Sequence, residues 1–320
     1  MQQRQGSMDD EYRVFEARLK ALLPEEYREC YEDVQPVSMG SAGLKYGVDG
    51  RVAWDEIWGS FCDLAMAGGP PHRGKLLEPA TKTKIDRDPL RYGQVVNELC
   101  RGVEMVTGLA VEPSPTHGWI NVDTPNTHMA AWLARAINME NVSAHCEGMV
   151  LSLPAGPQYR VEKEIKNVVT SAAKTCHYWL GHTSAAQHRA IAELFEIIEN
   201  ESPLIQPPCF RDDSSIAIME SLRERIATAI HSFIGLHAPG REYSGWLGVE
   251  CESARPAIWM MRAVVINNVL CRREGSRIYL AINPIIDPMG IVVVRMVRRA
   301  YHLALSQGVF AGAGKEKPIT

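Results

Sequence analysis

Between residues 88 and 310, apolar positions fall into helical and strand spacings that come in the same order twice. Each series opens with three-to-four spacing, over Leu90 to Val106 and again over Ile216 to Phe233. These two helices end at Gly108 and Gly235, because glycine accepts the left-handed conformation that closes a helix. A short strand follows at Gly-Trp-x-x-Val, starting at Gly118 in one series and Gly245 in the other. Next comes a second helix, whose start in the first series is predicted at Thr124 and Pro125, a hydroxyl cap before the residue best tolerated at the first helical position. The stretches NVSAHCEGMVLSLP and NVLCRREGSRIYLAI then read as strand pairs around a Glu-Gly turn. A long closing helix, Val161 to Leu180 or Gly290 to Ser306, completes each series.

The two series also match residue by residue. Gly118 to Gly148 lies without a gap on Gly245 to Gly275, with identities at Gly118/Gly245, Trp119/Trp246, Trp132/Trp259, Arg135/Arg262, Asn141/Asn268 and Glu147/Glu274 among others. Two tryptophans and an arginine in register point to an internally duplicated α-β-α-β-β-α unit. So few strands per unit predict an α+β fold, with helices packed on a small sheet, in place of a doubly wound one. Two such units are expected about an approximate two-fold axis, like a fused homodimer. The N-terminal region carries a weaker fragment of the pattern, a strand pair around Val48, Asp49 and Gly50 followed by a helix through VAWDEIWGSFCDLAMAGG, and reads as a partial third copy. The domains expected are an N-terminal extension at 1–87, a first repeat at 88–200 and a second at 201–320.

Charge and composition narrow the partners. A net charge of −4 spread over 320 residues nominates neither a nucleic acid nor an anionic membrane. No apolar run approaches the roughly 20 residues of a spanning helix, and a polar N-terminus lacks an apolar signal core, so a cytoplasmic setting is expected. The eight cysteines are scattered without a Cys-x-x-Cys pair, which predicts free thiols. Glycine-rich nucleotide loops, Gly-x-Ser-x-Gly elbows and His-x-x-x-His spacings are missing, so the motifs nominate no nucleotide cofactor and no metal site.

The chemistry left to nominate lies in two places. The loop GGPPHRG, Gly68 to Gly74, puts His72 and Arg73 behind two stiffening prolines, an arrangement suited to a carboxylate or phosphate; the competing reading is a helix end whose basic residues offset the dipole. On the first closing helix, Ile165, Val168, Val169, Ala172, Ala173, Cys176 and Leu180 form an apolar stripe, and the wheel puts Lys163, Asn167, Thr170, Lys174 and His177 opposite. That face is either solvated surface or, with His182 just beyond, a substrate-binding surface. His72 and His177 are the candidate acid-base groups. Asp123 and Glu250 occupy matching places after the Gly-Trp strands and form a candidate acid pair if the pseudo-symmetry brings them together. His128 and Arg255 match in the same way.

These residues describe an enzyme acting on a small anionic metabolite, in a cleft between the N-terminal segment and the first repeat. A non-catalytic module binding a small molecule or a protein is the alternative, and a metal-handling protein the third. A homo-oligomer is compatible with all three.

Overall fold

A computed structural model of the chain describes residues 2–23, 43–56, 64–209 and 215–310. Its fold is mixed α+β, with two small antiparallel sheets, and the described residues gather into two units. The first holds residues 43–56, 64–184 and Cys209; the second holds 2–23, 185–208 and 215–310, so that α1 (Gln2–Leu22), which opens the chain, packs with the C-terminal elements.

The first unit runs α2 (Lys82–Arg87), α3 (Pro89–Thr107), β1 (Val111–Pro113), β2 (Trp119–Asp123), α4 (Thr127–Met139), β3 (His145–Glu147), β4 (Val150–Pro154) and α5 (Lys166–His177). Its sheet has the order β1-β2-β4-β3, with Trp119 opposite Pro154 and Asp123 opposite Val150. Local chemistry sets most boundaries. Asp88 caps α3 by accepting from Arg91 N, Pro89 takes the first helical position, and Gly108 closes the helix at φ 69°. For α4 the predicted cap is corrected: Asn126, not Thr124, accepts from Met129 N at 2.9 Å. Thr124 is instead buried, and its hydroxyl donates across to Met149 O at 2.7 Å, fastening the strand end to the hairpin.

Every residue of α4 from Met129 to Met139 is buried. A helix without an exposed face belongs inside a core, and α4 packs on both the sheet and α5, with Trp132 tilted against Trp179 at 5.3 Å. The closing helix is less regular than predicted. Only Lys166–His177 is α-helical, with five-residue π-helical turns at Val161–Ile165 and Tyr178–His182 on either side.

The N-terminal extension departs further from expectation. Its strand pair shrinks to one antiparallel bridge, Tyr46 to Val52. Of the helix predicted to follow, residues 57–63 lie outside the described residues, and the flanking parts are 3-10 turns at Trp54–Glu56 and Ala65–Ala67. Gly68, at φ 95°, ends the second turn at once. Trp54 is fully buried, donates to Glu98 Oε1 at 2.8 Å and packs where a Cβ on Gly102 would stand, so this segment is shaped by α3.

The second unit continues with α6 (Ala185–Glu201), α7 (Ser215–Ile234), β5 (Trp246–Glu250), α8 (Ala254–Val265), β6 (Cys271–Glu274), β7 (Arg277–Ala281) and α9 (Ile291–Ser306). From α7 onward the order of elements is that of α3 to α5, and the sheet order β5-β7-β6 corresponds to β2-β4-β3. The place of β1 is taken by one bridge, Gly240 to Gly248, where a Cβ on Gly240 would come within 2.6 Å of Gly248 Cα.

Candidate functional site

The segment entering the first unit is fastened to the end of α4 by Glu140, a residue that pattern reading passes over. A carboxylate at a helix C-terminus sits against the negative end of the dipole, and burying it adds a desolvation cost of several kcal/mol. Glu140 is fully buried at that position, so it requires donors. It receives three: Ala65 N and Lys174 Nζ to Oε1, both at 2.9 Å, and His72 N to Oε2 at 2.8 Å. Lys174 is itself 2% exposed, which corrects its placement on the outer face of the closing helix. The wheel misplaced it because Ser171 to Cys176 are all buried, so this stretch of α5 has no outer face.

The loop GGPPHRG is therefore clamped from beneath. Arg73 N donates to Glu140 O at 3.2 Å, and Asn141, left-handed at φ 60°, donates from Nδ2 to Arg73 O at 2.8 Å. Asparagine is among the few residues other than glycine that visit that conformation, and here its amide is held by the incoming loop. The Arg73 side chain turns back to Lys75 O at 3.2 Å.

Above the clamp, His72 meets two residues of the closing helix. Its Nε2 lies 3.1 Å from Asn167 Oδ1 and 2.9 Å from Thr170 Oγ1. Thr170 already spends its proton on Lys166 O at 2.6 Å, so both oxygens accept and Nε2 carries the hydrogen. Burial holds the ring below the ordinary histidine range; Glu140 opposes that shift, while Lys174 adds to it. A neutral imidazole with its proton on Nε2 leaves Nδ1 as its acceptor.

The other nominated residues lie apart from this cluster. His177 is seven residues beyond Thr170, about 10 Å along the helix axis, and is exposed. The π-helical turn brings His182 to it, Nε2 to Nε2 at 3.3 Å. Lys163 is exposed, 4.0 Å from Glu164. Asp123 is exposed at the end of β2 in the first unit. Glu250, in the second, is held by Arg277 Nη2 at 2.9 Å, while Arg277 Nη1 binds Glu242 at 2.8 Å. No group of three or more potential metal ligands occurs among the described residues.

The second unit has polar sites of its own. Asn267, which the gap-free match sets opposite Glu140, accepts from Arg18 Nη1 at 3.1 Å and so ties α1 to the end of α8. Arg272 is fully buried in an aromatic box, its guanidinium 4.2 Å from the ring centre of Tyr279, 4.4 Å from Tyr243 and 5.1 Å from Trp246, with Glu274 at 2.7 Å. Burial lowers its pKa, and Glu274 acts against that. A cavity of about 660 Å³ runs along α7 and α9 past Phe233, Met289 and His302. No family model, curated protein or solved structure matches the chain.

Proposed function

We propose that this chain is a binding module, not a catalyst, built on a duplicated helix-strand-helix-hairpin-helix unit. The observation that carries this reading is the Glu140 clamp. Lys174, nominated to bind substrate, is neutralised by Glu140 in the core, and the His72 backbone is held by the same carboxylate. These contacts fix a loop; they leave little charge to offer an anion.

Duplication is supported by details that composition does not require. Asn141 and Asn268 both have positive φ, and each donates its side-chain amide to the incoming segment, to Arg73 O and Ser202 O. Parallel bridges follow in both units, Leu77 to Val142 and Ile205 to Val269. Gly118 and Gly245 each lie against a proline of that segment, Pro79 and Pro207. Thiols such as Cys176, Cys251 and Cys271, free and buried, favour the cytoplasmic setting.

One observation favours the catalytic reading: His72 is oriented by two side chains on a stiff loop, with burial lowering its pKa, as a general base acting on a small anionic substrate would be. A thermal-shift panel of carboxylates, phosphates and nucleotides on the wild type and His72→Ala separates the two. The module reading expects no small-anion stabilisation that His72→Ala removes. A His72-dependent rise of more than about 2 °C, the scale on which ligand binding shifts a folding midpoint, would put a small-anion site at His72 and count against the module reading.

A further inference from the structure

The cavity of the second unit is a groove with an apolar floor and a cationic rim. Phe233 at 56%, Met289 at 55% and Ile291 at 64% remain exposed along it. Such exposure describes an open face suited to a macromolecule, since a small-molecule pocket buries most of its ligand. Its rim carries Arg225, Arg295 and Arg298, and a fourth arginine there, Arg299, is paired with Glu11 at 3.5 Å. Among the described residues no carboxylate lies within ion-pair distance of the first three. Arg225 bonds Pro288 O and Met289 Sδ, and Arg298 lies over the Phe233 ring at 5.1 Å.

The groove is held in shape by its end. Gly290, at φ 72°, lets the turn before α9 press on α7, where a Cβ would come within 2.3 Å of Ile226. Asp287, buried in that turn, accepts from Val293 N at 3.1 Å. From Ile291 to His302 the wall is twelve residues long, about 17 Å or three helical turns.

We propose that this groove docks an acidic amphipathic helix of a partner protein. Apolar residues at three-to-four spacing would fill the floor, and carboxylates on the flanks would meet the three arginines, the helix-in-groove mode of recognition. A second copy of the chain fits less well, because a two-fold contact sets these arginines against their own counterparts. A bilayer offers no ridge to enter a groove. This inference rests on the binding-module reading and names its partner.

The probe is a fluorescein-labelled acidic amphipathic peptide of about five turns, leucines on one face and glutamates on the others, titrated into the full chain by fluorescence polarisation. Binding is expected to weaken at least about tenfold in the double variant Arg295→Glu/Arg298→Glu, and with added salt, because rim charges govern encounter and ion pairing. Arg295→Lys/Arg298→Lys should stay within about threefold of wild type on the same grounds. Phe233→Ala should also weaken it, and circular dichroism checks that each variant folds. Absence of peptide binding, or equal binding by wild type and the charge-reversed variant, overturns the proposal. So does a doubled mass by native mass spectrometry that Phe233→Ala abolishes, or selective binding to phosphatidylglycerol vesicles. If the peptide fails while the thermal-shift panel shows no His72-dependent ligand, the occupant is wrong and the module reading stands.

Discussion

Glu140 and Lys174 contribute most where removal of one strands the other. A buried ion pair is weak evidence of net stabilisation, since desolvation offsets much of the attraction, but breaking it from one side costs about 3–5 kcal/mol. Lys174→Met should therefore lose about that much in urea unfolding. Glu140→Gln should lose a comparable amount, because three donors then face one amide oxygen. In the double variant the losses should fall well short of additive, and a double-mutant cycle measures the difference. His72 supplies a pH dependence. Its folded pKa lies below the unfolded value of about 6.5, so at mildly acidic pH the unfolded chain takes up more protons than the folded one. Stability from this group is present above about pH 6.5 and is lost as pH falls from there toward the lower folded pKa. His72→Gln should remove that part of the dependence, read from unfolding midpoints between pH 7.5 and 5 or so.

Elements begin and end where local chemistry dictates, except where another segment crosses them. Gly108 and Gly118 make the contrast. Both have positive φ, but a Cβ at Gly108 meets nothing within 4 Å, whereas at Gly118 it would come within 2.4 Å of Ala80 O. Gly108→Ala should cost about 1 kcal/mol, the left-handed penalty alone. Gly118→Ala should cost upward of about 2 kcal/mol, because overpacking against a backbone oxygen adds to that penalty; thermal unfolding of the two variants side by side checks the ranking. The π-helical turns at either end of α5 belong to the same scale. Apolar spacing predicts one continuous closing helix, and the widened turn is what sets His182 beside His177.

Across the molecule, charge is sorted in a way that net charge conceals. A chain of net charge −4 still gathers several arginines along α9 and its groove. By sequence, the candidate site falls between the N-terminal segment and the first repeat. In the fold, the first unit pairs Lys174 with Glu140 inside the core, and the second holds Arg225, Arg295 and Arg298 along an open groove. The thiols follow burial in the same way. Cys176 and Cys251 are pushed up to about 12 by burial, and Cys100, half-buried beside Glu104, to about 11, which leaves them unreactive near neutral pH.

What was legible in the sequence is what neighbours in the chain decide. The spans of α3, α7 and α9, the Gly-Trp strands, the hairpins at Glu-Gly and the stops at Gly108 and Gly235 all rest on spacing, propensity and backbone sterics within a few residues. Glu140 left one local trace, an acid at the C-terminal end of an apolar helix, where the dipole disfavours it. Its donors could not be read, because Ala65, His72 and Lys174 lie 75, 68 and 34 residues away. Tertiary structure alone decided that Lys174 points inward, that Arg272 sits among three rings and that α1 packs with the C-terminal elements. Burial and long-range pairing follow from where distant segments meet, and a helical wheel carries no record of that.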